Sequence, residues 1–370
     1  MSDAVLSVNF AGPHVSVQDG GRKGFMRFGV PWSGPMDRRS FAAANVALGN
    51  PADAAAIEVS LGGLMLECLS GTVSFAVAGG GFIIDHAGQK RGSWTIATLK
   101  PGQKLAIRPG PWGSWCYLTL AGTLQTDRWL CSASTHTMSG LGGGRLTSGM
   151  KLTVTDAAQR EDREGHIPCP VNARPRHEVR VTMGPHQRFF GEDALAAFGN
   201  GPWHMTDAWD RMGVRISGPF IAPNTTLDMP SEPIVRGSVQ VAGDGVASIL
   251  FSDHQTTGGY PKIATVLDCD IDALVQLRPR DIVAFRPVSP QDAIAIARAT
   301  IEMDHRHRFT ISQSRGSLDW RLRTENLIGS VINAKDAATP SLPPSAPAAT
   351  TSERSWPTSR LGLPGLSSPF

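Results

Sequence analysis

Short apolar runs rich in valine, isoleucine and leucine recur along the first half of the chain. Turns rich in Gly, Pro and Asp separate them, at a spacing typical of a β-sandwich or β-barrel. One helix is predicted among them, with Asp37 as its N-cap and its end at Gly49-Asn50-Pro51. The predicted strands are AVLSVNF, AAIEVS, TVSFAVA, GFIID, WTIAT, KLAIR, WCYLTL and KLTVT.

A second strand pattern begins at HEVRVTMGP, after the proline-rich segment EGHIPCPVNARPRH. The composition of that segment is typical of an interdomain linker, which predicts domains at residues 1–160 and 175–303. Further helices are predicted at residues 188–198 and after Ser289, where Ser289 is the N-cap and Pro290 the first helical residue. We therefore expect a mainly β protein with a few helices. The apolar face of the last helix is predicted to hold Ile294, Ile296, Ala297 and Ile301.

Composition and charge narrow the possible partners. The formal net charge of +3 is small and the Lys and Arg residues are scattered, so we expect no nucleic-acid partner. We also expect no membrane contact and a cytoplasmic protein, because no run reaches the length of a membrane span and no signal peptide is recognisable. The five cysteines lie far apart without a CxxC pair, which favours buried free thiols over disulfides or a metal site. Residues 335–370 are rich in Ala, Ser, Thr and Pro and are predicted to be a disordered tail.

The segment QTTGGYP, residues 255–261, lies between the strand-like runs ASILFSD and KIATVLD. A simple hairpin needs only a short turn, whereas this segment adds an amide and three hydroxyl groups to two conformationally free glycines. These groups either face a ligand or only satisfy the backbone of the loop, and both interpretations stay open at this stage. The residues concerned are Gln255, Thr256, Thr257, Gly258, Gly259 and Tyr260.

Two further segments concentrate charged and polar residues. Residues 17–37, VQDGGRKGFMRFGVPWSGPMD, contain Asp19, Arg22 and Ser33. Arg22 is a candidate for binding a carboxylate or phosphate, or else it pairs with Asp19 to brace the loop. In WDRMGVRISGP, residues 209–219, strand alternation predicts Arg211 and Arg215 on one face, either as an oxyanion clamp or as a solvated surface.

The acidic and histidine residues indicate a functional site less strongly than these segments do. Glu232, in SEPIVRGSVQV, is a candidate general base or a solvated loop carboxylate. His136, His204 and His254 stand alone without ligand spacing and are interpreted as structural. No phosphate-binding loop of the type GxxxxGK[ST] is present.

In this order along the chain, several of these segments resemble the biotin-dependent carboxyltransferase family. The matching stretches run from about residue 8 to residue 300 and include residues 17–37, STHTMSGLGG, DRMGVRISGP and SDHQTTGGYPKIATV. The family includes the C subunit of bacterial 5-oxoprolinase, a carboxyltransferase-type region of urea carboxylase, and a regulatory antagonist of a sporulation-kinase inhibitor. The resemblance implies two β-barrel-like domains, the second similar to cyclophilin.

The resemblance also implies an activity and its partners. It points to a component of an ATP-dependent hydrolase of a cyclic amide, 5-oxoproline, in which ATP is used through a complex. The implied partners are the two other components of such a hydrolase, a sister carboxyltransferase-type subunit (the B type) and a lactam-binding protein (the A type). One alternative is the acceptor half of a biotin-dependent urea or amide carboxylase, with biotin carried on another chain, and another is a regulatory binding subunit without chemistry.

Within that resemblance, the polar motif residues are expected to line one shared pocket. Gln255, Thr256 and Tyr260 suit the amide and carbonyl of a substrate, and Arg22 or Arg211 would face an anion. The candidate catalytic residues are Arg22, Arg211, Gln255 and Tyr260, and the candidate substrate contacts are Asp19, Ser33, Glu232, Thr256, Thr257, Gly258 and Gly259.

Overall fold

Two antiparallel sheets occupy residues 2–166, and every strand predicted in this half is confirmed. The structure is a computed structural model and describes residues 2–224 and 229–316. The first sheet has the order β11 (Thr123–Leu124), β12 (Lys151–Ala157), β1 (Ser2–Ala11), β4 (Leu64–Ser70), β9 (Lys104–Arg108), β6 (Ile83–His86) and β7 (Gln89–Gly92). The second has the order β13 (Gly165–His166), β8 (Thr95–Leu99), β5 (Val73–Gly79), β10 (Trp115–Leu120), β3 (Ala56–Ser60) and β2 (Ser16–Gln18).

One apolar core serves both sheets, with Leu6, Leu66, Phe75 and Leu118 fully buried in it. Strands β5 and β10 are buried along their whole length because helix α1, Arg38–Leu48, also packs against them. A strand covered on both faces has a continuous apolar run instead of an alternating one. This explains the unbroken sequences TVSFAVA and WCYLTL.

Helix α1 begins and ends where the sequence predicts. The Asp37 side chain accepts a hydrogen bond from the Ser40 amide at 2.9 Å and so caps the first turn. Gly49 ends the helix in the left-handed conformation, with φ of 90°.

The second half forms a closed seven-stranded barrel with its own apolar core. The last strand closes the barrel by pairing in parallel with the first, with Glu178 opposite Ala284. A separate two-stranded ribbon joins β17 (Glu232–Pro233) to β20 (Thr257–Gly258). The barrel order is β14 (Glu178–Met183), β21 (Lys262–Val266), β18 (Ser238–Val241), β19 (Ala247–Leu250), β16 (Gly213–Ser217), β15 (Trp203–Trp209) and β22 (Ile282–Pro287).

Three helices accompany the barrel, and they differ in how well the sequence predicts them. Helix α2 spans Glu192–Asn200 instead of residues 188–198, because Gln187–Phe189 forms a separate 3-10 turn. Helix α3, Asp268–Leu274, was not predicted, since it is short and its first residue, Asp268, is also the last residue of the strand-like run KIATVLD.

Helix α4, Pro290–Ser312, confirms the predicted start, because the Ser289 hydroxyl accepts a hydrogen bond from the Asp292 amide at 3.1 Å. Its predicted apolar face is wrong in part: Ile294 is 54% exposed and Ile301 is 65% exposed. The helix packs mainly against α1, and these two residues lie away from that contact.

All five cysteines are free, and Cys131 is exposed, contrary to the expectation of buried thiols. Within residues 2–224 and 229–316, none of the helices combines the length and hydropathy needed to cross a membrane. The tail predicted at residues 335–370 lies outside the described residues.

Candidate functional site

A buried charge network lies where the barrel meets the two sheets, with Arg211 at its centre. Arg211 is 1% exposed. Its guanidinium forms an ion pair with Glu58 and a two-point contact with Asp253, Nε to Oδ2 at 3.1 Å and Nη2 to Oδ1 at 3.0 Å. Nη2 also donates to the Gly34 carbonyl at 2.6 Å. All three guanidinium nitrogens of Arg211 therefore already bind protein acceptors.

The acid–base balance of this network follows from burial and proximity. Burial alone would lower the pKa of Arg211, but Asp253 and Glu58 raise it by more than burial lowers it. Burial raises the pKa of Glu58 above its usual value, although Arg211 opposes the rise. For Asp253 the effect of Arg211 outweighs that of burial, and its pKa is lowered. Arg211 therefore remains a cation that compensates buried carboxylates.

The prediction that Arg211 and Arg215 share a face is wrong. Arg211 lies in the turn between β15 and β16, where Asp210 Oδ1 accepts from the Met212 amide at 2.7 Å. Strand alternation applies only from Gly213 onward, so Arg215 points to solvent while Arg211 points inward. The two side chains therefore cannot form one clamp.

A second buried arginine, Arg236, connects the barrel to the same loop. Its Nη2 donates to the Met36 carbonyl at 2.5 Å and to Asp272 at 3.0 Å, and its Nη1 donates to Asp268 at 2.9 Å. The Met36 amide donates to Glu58 at 2.8 Å. Two barrel arginines thus hold the backbone of residues 34–36 at the junction.

A cleft of about 440 Å³ opens beside this junction. It is lined by residues of the first motif, of helix α1 and of the barrel, so both halves of the protein build it. Its apolar walls and few polar groups are typical of a small-molecule site. The residues that matter here are Trp32, Arg38, Val235, Arg236, His254 and Asp268.

Arg38 is held in the cleft by a ring and a carboxylate. Its guanidinium carbon lies 4.8 Å from the centre of the Trp32 ring, and Nη1 lies 3.3 Å from Asp268 Oδ1. Burial alone would raise the pKa of Asp268, but Arg236 and Arg38 lower it by more. Asp268 is therefore an anion shared by the two arginines.

His254 contributes a neutral imidazole to the cleft and is 4% exposed. Its Nδ1 lies 2.6 Å from the Gln255 carbonyl oxygen. Because a carbonyl only accepts, Nδ1 carries the proton and Nε2 keeps its lone pair. Burial lowers the pKa of His254, and Arg236 and Arg38 lower it further. The interpretation of His254 as structural stays a prediction, and the structure adds that its ring lies on the cleft wall, directly before QTTGGYP.

Asp19 and Arg22 do not pair with each other within the described residues; both bind the segment 129–134. Asp19 accepts from the Ser132 and Ser134 hydroxyls at 2.6 Å and 2.7 Å. Burial would raise the pKa of Asp19, but these hydrogen bonds lower it. Arg22 is fully buried, donates from Nε to the Trp129 carbonyl at 3.1 Å and lies over the Trp129 ring. These contacts brace the loop around the first motif.

The side chains of residues 255–260 contact a different part of the barrel. Gln255 Nε2 lies 3.4 Å from Gln240 Oε1, and Thr257 and Gly258 pair with the ribbon strand that holds Glu232. Glu232 Oε2 accepts from Lys262 Nζ and from His186 Nε2, both at 3.1 Å. The hydrogen bond from Lys262 lowers the pKa of Glu232.

The expectation of one shared pocket is wrong, because the predicted residues border separate cavities. Gln255 borders a cavity of about 480 Å³ together with Asp210. Asp19 borders another, of about 450 Å³. Ser33 is buried, with φ of 57°, and Tyr260 is 48% exposed. The catalytic and binding roles of the individual residues, Thr256 and Gly259 among them, stay predictions.

Comparison with known proteins shows which family shares this sequence. A family model described as "Carboxyltransferase domain, subdomain A and B" matches residues 28–287. The C subunit of the 5-oxoprolinase of Escherichia coli strain K12 is 30% identical over 325 residues, which cover 87% of this chain and 100% of that protein. The urea amidolyase of Saccharomyces cerevisiae is 29% identical over 310 residues, which cover 77% of this chain and 17% of that protein.

The fold also has solved counterparts. The crystal structure of TTHA0988 superposes with a TM-score of 0.69 at 31% identity and covers 76% of this chain. The matched region is 56% of the TTHA0988 chain, so this chain spans about half of that structure. Because the family model covers most of the sequence and the E. coli 5-oxoprolinase component is matched along its whole length, the chain belongs to the family of carboxyltransferase-domain proteins with subdomains A and B.

Proposed function

We propose that this chain is a carboxyltransferase-type subunit that acts with a sister subunit in the ATP-dependent hydrolysis of a cyclic amide, 5-oxoproline. The observation that carries the proposal is the extent of the match. The chain contains a counterpart of the whole C subunit of E. coli 5-oxoprolinase, whereas it corresponds to 17% of the yeast urea amidolyase. Family membership alone would suit either activity.

The cleft supports this proposal chemically. Opening of an amide ring places negative charge on the carbonyl oxygen, and preorganised cationic donors stabilise such charge. Arg38 and Arg236 are two such donors at the junction of barrel and sheets. The Arg211–Asp253 contact holds the residue that precedes His254, so Arg211 acts as a positioning residue in this scheme.

The family resemblance assigns ATP to the complex. The sequence has no Gly-rich phosphate loop with its lysine, so the usual way of cradling phosphates is missing from it. The proposed partners are a B-type sister subunit and an A-type lactam-binding protein.

The test is reconstitution. The chain is purified with its sister subunits, and ATP-dependent loss of 5-oxoproline is measured beside carboxylation of urea in the presence of a biotin carrier. Loss of 5-oxoproline that requires this chain supports the proposal. Urea carboxylation without any loss of 5-oxoproline would replace it with the carboxylase alternative. Tight binding to a partner with neither activity would identify a regulatory protein.

A further inference from the structure

Two arginines present unused donors at the cleft. Arg38 uses Nη1 for Asp268, while its Nε and Nη2 have no acceptor within residues 2–224 and 229–316. Arg236 uses both terminal nitrogens, but its buried Nε finds no acceptor in the same residues. The Arg38 side chain is 30% exposed at the cleft, so its free donors can reach a ligand, whereas the Arg236 Nε is buried behind the wall.

The cleft also presents one neutral acceptor. The proton of His254 is on Nδ1, toward the Gln255 carbonyl, and Nε2 has no donor within the described residues. The charged groups of the lining are Arg38, Arg236 and a single carboxylate, Asp268. Arg236 is also paired with Asp272 behind the wall, so Arg38, which shares Asp268 with Arg236, is the cation that the cleft presents to a ligand.

These groups define what a ligand must offer. It needs an anionic acceptor for Arg38, an N–H donor for His254, and a small apolar body for the walls formed by Trp32 and Val235. A ring that carries a carboxylate next to a secondary amide satisfies all three conditions. A neutral amide such as urea lacks the anion, and an open-chain amino acid carries an ammonium group instead of the amide N–H.

We propose that this cleft binds the cyclic amide substrate itself, with the carboxylate on Arg38 and the ring N–H donated to His254 Nε2. The inference rests on the proposed function for the identity of the ligand, and on the geometry of the cleft for its binding mode. It makes this chain, and not only a partner, a substrate-binding component. Arg236 then acts behind the wall, where it holds Asp268 and the Met36 carbonyl.

The test is calorimetric binding to the full chain, alone and with its sister subunits. The probes are 5-oxoproline, its N-methyl derivative, and pyrrolidinone, which lacks the carboxylate. Loss of the carboxylate or of the N–H should each weaken binding by about tenfold or more, because each removes a hydrogen bond to a charged or buried partner. Binding of no probe in either preparation would overturn the proposal.

Two variants and one control test which residue binds the carboxylate and which binds the ring N–H. Arg38→Gln should remove the preference for a carboxylate, since the guanidinium group and its charge are lost. His254→Asn keeps a donor for the Gln255 carbonyl but removes the Nε2 acceptor, so it should bind the N–H and N-methyl compounds equally. Arg298→Gln is the matched control, because Arg298 is exposed on α4, and it should bind like the parent chain. Unchanged preferences in the first two variants would overturn the assignment.

The outcomes separate this inference from the proposed function. Binding with the expected preferences, but without ATP-dependent hydrolysis in the complex, would support the site and refute the function. Hydrolysis that is unchanged in complexes carrying Arg38→Gln or His254→Asn would support the function and refute the site. Thermal unfolding of each variant shows that a loss of binding is not a loss of fold.

Discussion

Arg211 shows how one side chain can determine the stability of the junction. It compensates Glu58 and Asp253, both of which are fully buried. A buried ion pair contributes little net stability when compared with an apolar replacement of all its members. Removal of one member is different, because it leaves buried charge without a partner.

We therefore expect Arg211→Met to lower the free energy of unfolding by about 3–5 kcal/mol. Arg215→Met is the matched control, since Arg215 is four residues away and exposed, and it should change stability by no more than about 0.5 kcal/mol. Urea denaturation followed by circular dichroism measures both. Equal midpoints for the two variants would show that the network does not stabilise the junction.

At the scale of an element, the loop of residues 33–37 is held to the rest of the protein mainly through its backbone, beside the Asp37 side chain. The carbonyls of three consecutive residues, 34–36, accept hydrogen bonds from Arg211, Ser252 and Arg236. The Asp37 amide donates to the Tyr117 hydroxyl at 2.7 Å. These hydrogen bonds form only when the backbone of residues 34–37 has this conformation. The same backbone conformation places Trp32 and Arg38 in the cleft.

Gly34 tests this dependence because its φ is 83°, a conformation that a side chain disfavours. Gly34→Ala should cost about 1–2 kcal/mol and lower the thermal midpoint. Gly92→Ala is the control, since a Cβ at Gly92 would meet nothing within 4 Å and its φ is not positive. Differential scanning calorimetry that finds the same midpoint for both variants would contradict a strained, essential turn at Gly34.

At the scale of the whole molecule, the sheets and the barrel share buried groups. Trp115 of β10 belongs to the barrel core and lies 5.4 Å, between ring centres, from Trp209. Gln276 donates to Asp37 at 2.7 Å and to the Trp115 carbonyl at 3.0 Å. The two halves therefore complete each other's cores and hydrogen bonds.

This sharing predicts one cooperative unfolding transition for the sheets and barrel together. Residues 175–316 expressed alone should not fold stably, because Arg211 loses Glu58 and Arg236 loses the Met36 carbonyl. Calorimetry on the full chain and circular dichroism on the fragment check this. Two resolved transitions, or a fragment with a sharp thermal midpoint, would show that the halves are independent.

The sequence by itself determined the local elements and the family. Apolar runs and turns predict the strands of the first half, and Asp37 and Ser289 predict the starts of two helices, because these signals act within a few neighbouring residues. The long motifs also place the chain in its family. Helix α3 escaped prediction because it is only 7 residues long and begins at Asp268, the last residue of the strand-like run KIATVLD.

Only the tertiary structure decided which polar residues meet. Arg211 contacts Glu58, 153 positions earlier in the chain, and this contact turns a predicted substrate clamp into a buried support. His254 lies on the wall of the cleft beside two arginines, where burial and the Gln255 carbonyl leave its Nε2 as an acceptor. Such roles depend on distances between remote segments and on burial, and neither quantity is encoded in the spacing of residues along the chain.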